Sequence, residues 1–281
     1  MNKLPRVPFA DWIDQFVDWL TSHFGGVFDG VANGVENVVN GIVSGLGFIP
    51  SILLTVIISL IAWWLTTKRI ALFSLIGFLF IDYLGYWEAM LNTLALVLTS
   101  VIISIIIGIP IGIWASQKDS VRKIVTPILD FMQTMPAFVY LLPAIFFFNI
   151  GVVPGVVASV IFAMPPTIRL TILGIQQVPE DIIEATESFG STTSQRLFKV
   201  QIPLASPTIM AGINQSIMLA LSMVVIASMV GAPGLGEEVY RAVTQLKTGV
   251  GVEAGLAIVI VAIVLDRITQ NVGMKKQRRT L

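Results

Sequence analysis

Stretches of about twenty consecutive apolar residues recur along this chain, and no other feature restricts its fold so tightly. A hydrocarbon layer about 30 Å thick needs roughly 20 helical residues to cross it. Backbone inside that layer must satisfy its own hydrogen bonds, so helices are the economical solution. Runs near 48–66, 70–86, 90–115, 127–149, 152–175, 206–231 and 252–270 meet or approach that length, and about seven spans are expected. Only 12% of the 281 residues are charged and the mean hydropathy is +0.87, whereas a soluble domain carries about twice that charged fraction. The expected fold class is therefore all-α and polytopic, in a cell membrane. There is no cysteine, which excludes disulfides and thiolate metal sites. The single histidine, His23, sits on an amphipathic segment and reads as a surface residue.

Lysine and arginine placement sets the expected orientation. The connections carrying Lys68 and Arg69, then Lys118, Arg122 and Lys123, then Arg196 and Lys199 alternate with connections nearly free of basic residues. With seven spans the tail Lys275, Lys276, Arg278 and Arg279 joins the same side, giving it 13 of 17 basic residues when Arg169 and Arg267 are counted. The other side keeps Lys3, Arg6, Arg241 and Lys247 against ten acidic residues. The N-terminus is then outside and the C-terminus cytoplasmic. No cleavable leader is expected, because Lys3 and Arg6 precede acidic amphipathic sequence.

The chain divides into four parts on this reading: an extracellular amphipathic region 1–47, two spans over 48–86, a core 87–272 and a basic tail 273–281. In the first part Phe9, Trp12, Ile13, Phe16, Leu20 and Phe24 recur at helical spacing opposite Asp11, Asp14 and Asp18. One or two helices lying on the outer surface are expected, packed along the ends of the spans or against an extracellular partner. Gly108 and Gly112 flank Pro110 as a close-packing pair. Pro136, Pro143, Pro165 and Pro166 are expected to kink the fourth and fifth spans. Trp63, Trp64, Trp87 and Trp114 fall near span ends as interfacial anchors.

One polar loop, 179–203, carries the signals of two short water-exposed helices. Pro179 suits a first helical position, with Glu180 and Asp181 complementing the helix start. Gly190 can end that helix in the left-handed conformation. Thr192 and Gln195 form a capping box for a second helix, which Pro203 is expected to stop. Ser206 before Pro207 reads as the start of the next span.

These loop residues resemble the coupling loop of binding-protein-dependent ABC importers, whose pattern is Glu-Ala-Ala, three residues, Gly, nine residues, Ile, one residue, Leu-Pro. Glu184, Ala185, Gly190 and Pro203 match at that spacing, while Thr186, Val200 and Ile202 replace Ala, Ile and Leu. Over roughly 85–270, the runs Gln133–Ala137, Pro165–Thr171, Ser222–Ser228 and Gly231–Gly236 look like the permease subunit of glycine betaine importers, with Pro233 departing from the usual glycine. The resemblance implies a type I, methionine-permease-like fold without enzymatic activity of its own. It implies two cytoplasmic ABC ATPase subunits that bind ATP and Mg, an extracellular solute-binding protein and a second copy of the chain. No cofactor is expected in the chain itself, and lipid is its surroundings; no nucleic acid is expected. Glu184, Ala185, Thr186, Gly190, Arg196, Ile202 and Pro203 would meet the ATPase.

The centres of the apolar runs are nearly free of ionisable groups, which weakens readings as an ion-coupled transporter. Gln133, Met135, Asn214, Gln215 and Ser222 are the candidates to face a translocation path, each equally able to bond a neighbouring backbone. An importer for another small solute, such as methionine or a sulfonate, stays open as the alternative, and a secondary transporter fits less well.

Overall fold

The computed structural model describes residues 8–277, with side chains from Asp11 to Asn271; Lys3, Arg6 and the side chains of the basic tail lie outside the described residues. Every regular element among them is helical. In chain order these are α1 (Phe9–Gly47), α2 (Ser51–Leu65), α3 (Lys68–Tyr83), α4 (Trp87–Gln117), α5 (Asp119–Thr134), α6 (Leu141–Phe148), α7 (Val152–Gln176), α8 (Glu180–Ser188), α9 (Thr193–Arg196), α10 (Ile202–Ser228), α11 (Leu235–Thr244) and α12 (Thr248–Gln277).

The seven expected spans resolve into fewer by length. Four helices are long and apolar enough to cross a membrane alone: α4, α7, the continuous helix Thr193–Ser228, and α12 over Thr248–Asn271. Two bent pairs, α1 with α2 and α5 with α6, raise the number to six, with bends of 100° and 105°. Helices α2 and α3 hold only 15 and 16 residues. At 1.5 Å per residue each falls short of the full hydrocarbon thickness. They pair as a hairpin, closed at one end by Ser51 Oγ donating to Asp82 at 3.0 Å. The fourth expected span breaks at Met135–Pro136, where extended backbone ends α5 before a short turn, Ala137–Tyr140, leads into α6.

The core is the contact of α4, α7 and α10. Leu94, Val97 and Val101 of α4, Val156 and Val160 of α7, and Ile217, Leu221 and Val224 of α10 are buried together. Small residues let these backbones approach. A Cβ on Gly112 of α4 would lie 2.6 Å from Thr171 Cβ and 3.0 Å from Ile168 O. A Cβ on Gly212 of α10 would likewise sit 3.0 Å from Pro166 O of α7.

Pro165 and Pro166, expected to kink this span, lie inside α7, which continues through both as one helix. Each proline removes a rung of the hydrogen-bond ladder. The lost rungs are those to Ile161 O and Phe162 O. One residue further on, buried Ser216 Oγ of α10 donates to Ala163 O and Thr167 Oγ1 stands 2.7 Å from Ser216 Oγ, tying the two helices together at this level.

Helix α1 is one amphipathic helix rather than two, and its C-terminal half packs across one end of the bundle. Phe28 stacks on Phe147 with ring centroids 4.5 Å apart, and Val35 and Val39 enter the main core. Its N-terminal half leaves Trp12, Phe16 and Trp19 about half exposed. The glycine-rich turn 231–236 lies at this same end, where Leu235 N donates to Thr93 Oγ1 at 2.8 Å and Gly234 takes φ +139.

Gly112→Ala is expected to lower stability by about 1–3 kcal/mol through overpacking, read as a lower thermal midpoint in detergent. Gly34→Ala, on an open face of α1 with nothing within 4 Å, should leave the midpoint unchanged or raise it, because alanine favours helix by about 1 kcal/mol.

Candidate functional site: a capped elbow between two long helices

At the other end of the bundle α7 and α10 are joined by the segment 179–203, an elbow of two short helices. Pro179 is the residue before the helix rather than its first turn, with φ −55 and ψ 134. Extended backbone there lets α8 leave α7 at an angle. Glu180 and Asp181 follow in the first turn, where negative charge is favoured.

The end of α8 is a complete Schellman motif. Gly190 N donates to Glu187 O at 2.8 Å and Ser191 N to Thr186 O at 3.2 Å, with Gly190 at φ +75. A two-way capping box then opens α9: Gln195 N donates to Thr192 Oγ1 at 3.3 Å, and Thr192 N donates to Gln195 Oε1 at 2.9 Å. The two short helices are tied by an ion pair between Arg196 Nη1 and Glu187 Oε1.

Pro203 does not stop the second helix. Leu197–Gln201 widen into a π-helical turn that runs straight into α10, so one helix continues from Thr193 to Ser228. A widened turn leaves room for a residue without an N–H, and Pro203 occupies the second position of the regular helix that follows. Pro207 is consequently inside α10, not at its start.

The root of the elbow is firmly seated. Ile202 packs beside Ile175, Ala205 and Ile209. Gln201 is buried, and its Oε1 accepts from Gln117 Nε2 at the end of α4, at 3.3 Å. The tip is bare: α8 and α9 contain no buried residue, and Phe189 is 91% exposed. Glu184 and Ala185 are exposed, while Thr186 turns its hydroxyl back to Ile183 O at 2.7 Å. The elbow thus holds its shape through its own caps and one ion pair, and presents an acidic, aromatic-tipped surface.

The five candidate path residues do not converge. Gln215 and Ser222 share one exposed face of α10, on which Ser222 Oγ bonds Met218 O at 3.0 Å. Asn214 is half-buried beside that face and its Oδ1 has no partner among the described residues. Gln133 is exposed near the end of α5, and Met135 packs at the break against the cluster that holds Tyr140 and Met223. Sequence reasoning missed the Gln117–Gln201 bond and the Glu187–Arg196 pair, because neither partner stands at a repeating interval from the other.

Residues 108–275 match the family described as binding-protein-dependent transport system inner membrane component. The chain is 79% identical to the glycine betaine transport system permease protein OpuAB of Bacillus subtilis, over 99% of both chains. It is 52% identical to the glycine betaine/carnitine transport permease protein GbuB of Listeria monocytogenes, over 98% of this chain and 99% of that one. With the glycine betaine/proline betaine permease protein ProW of Escherichia coli the identity is 49%, over 97% of this chain and 77% of the relative. Among solved structures, a chain of the inward-facing MetNI methionine ABC transporter shares the fold, with TM-score 0.58 at 22% identity, covering 68% of this chain and 93% of that one.

Thr192→Ala should cost about 1 kcal/mol of local stability. Amide exchange at 193–196 is expected to quicken about fivefold while the thermal midpoint of the whole chain stays put. A fall in that midpoint would mean the elbow is part of the cooperative core, contrary to its bare surface.

Proposed function

Because the chain belongs to the binding-protein-dependent transport system inner membrane components, we propose that it is the membrane permease of an ATP-driven importer for glycine betaine or a related quaternary ammonium solute, and that the elbow 179–203 is where ATPase subunits grip it. The observation that carries this reading is the elbow itself: a rigidly capped knob with an uncovered phenylalanine, rooted directly in two core helices. Glycine betaine permeases of high identity over nearly the whole chain support the solute.

Each elbow residue has a role on this reading. Glu184 offers a negative contact to a basic or polar group of the ATPase, and Ala185 allows close approach. Thr186 and Gly190 fix the end of α8 through the Schellman bonds. Arg196 braces α8 from within through Glu187. Ile202 and the π-helical turn pass displacement into α10, with Pro203 closing that turn. ATP and Mg then belong to the partner.

On this reading the elbow end faces the cytoplasm: the α4–α5 turn with Lys118 adjoins the elbow through Gln117 and Gln201, the elbow carries Arg196 and Lys199, and basic residues favour the inner side. Helix α1 and the glycine-rich turn lie outside, where a solute-binding protein would dock. One elbow per chain against a pair of ATPases makes a two-fold homodimer the simplest assembly.

Glu184→Arg or Gly190→Val should leave membrane insertion intact and cut labelled glycine betaine uptake by an order of magnitude or more, with ATP hydrolysis no longer stimulated by substrate. Uptake at the parental rate in both variants would falsify the role given to the elbow. Competition by unlabelled methionine rather than betaine would transfer the solute assignment to the alternative.

A further inference from the structure

The α2–α3 hairpin lies outside the 108–275 stretch that matches the family, and its two helices leave between them a groove of about 430 Å³. One stripe from each helix builds it: Val56, Leu60 and Trp63 from α2, and Lys68, Leu72 and Leu75 from α3, spaced three to four residues apart. The walls are apolar, and Leu60, Trp63 and Leu72 remain 53%, 52% and 57% exposed.

The mouth has a different character. Lys68 Nζ stands 6.0 Å from the centroid of the Trp63 ring, and Arg69 follows it. Neither makes an ion pair among the described residues. Both occupy the first turn of α3, which carries no acidic residue. The helix dipole disfavours positive charge at that end, so the two cations sit where an external anion would offset both their charge and their position.

We propose that the groove holds one acyl chain of an anionic phospholipid, with the phosphate against Lys68 and Arg69. The apolar stripe and the charged mouth point to one amphipathic molecule. A soluble anion would make no use of the stripe. A zwitterionic lipid brings its own ammonium to the two cations. The tryptophan at the mouth marks the depth of the headgroup layer, and basic pockets between spans on the cytoplasmic side favour anionic headgroups.

The test uses the assembled transporter, reconstituted in nanodiscs of equal parts phosphatidylglycerol and phosphatidylcholine, released into detergent and weighed by native mass spectrometry. Parental protein should retain phosphatidylglycerol over phosphatidylcholine. Lys68→Gln is expected to lower that preference roughly fivefold, and Lys68→Gln with Arg69→Gln to abolish it, while Lys68→Arg keeps it and shows that the site is otherwise intact. Leu72→Trp, which fills the groove, should lose the retained lipid with both charges still present. The proposal is overturned if phosphatidylcholine is held as firmly by the parental protein, if the charge-neutral or filled variants retain phosphatidylglycerol unchanged, or if cysteines at 60 and 72 cross-link between two copies, which would place a second protomer over the groove.

Discussion

The close approach of α7 to α4 and α10 is the contact on which the rest of the molecule depends. In a bilayer there is no water to expel between helices, so association rests on van der Waals contact and on hydrogen bonds between backbones brought near by small residues. Gly108 and Gly112 of α4 and Gly212 of α10 provide that approach, each facing the same turns of α7 around Thr167 and Thr171. The Ser216 hydroxyl then reaches Ala163 O across the α7–α10 contact, just before the Pro165–Pro166 pair. Because α7 and α10 are locked along much of their length, the elbow between their ends has a rigid base.

Charge is distributed to match. The spans carry almost nothing ionisable at their centres, and the half-exposed Asp130–Arg169 pair joins the C-terminal part of α5 to the second half of α7. A chain without buried carboxylates at mid-depth has no obvious means of coupling to an ion gradient. Among the described residues, the elbow is a bare projection that connects directly to the core helices α7 and α10. The opposite end is acidic around Glu237, Glu238 and Glu253, and holds the seated turn 231–236.

The elements governed by local chemistry were legible in the sequence. The Thr192 capping box, the left-handed Gly190 and the Gly108–Gly112 contact each arise from residues a few positions apart, and each stands as expected. What escaped was set by tertiary context. Pro203 looked like a stop, yet a π-helical turn carries the helix past it, and Pro165 and Pro166 lie inside a helix that continues through both. The bend at Pro136 was foreseen as a kink, but its 105° angle depends on extended backbone at Met135 that no periodicity announces. The apolar runs were legible too, but not the lengths of the helices in them: the turn at Thr66–Thr67 sets how long α2 and α3 become, and four to six spans qualify by length and composition.

Sidedness tests the account most directly, and a chain without cysteine is a ready background for it. Single cysteines replace Phe189 at the elbow tip and Leu246 in the α11–α12 turn, two positions 91% and 89% exposed. A membrane-impermeant maleimide should label the Leu246 position in intact cells, and the Phe189 position only after the membrane is opened and stripped of peripheral proteins. Labelling of Phe189→Cys from outside intact cells would contradict the entry of force through a cytoplasmic elbow.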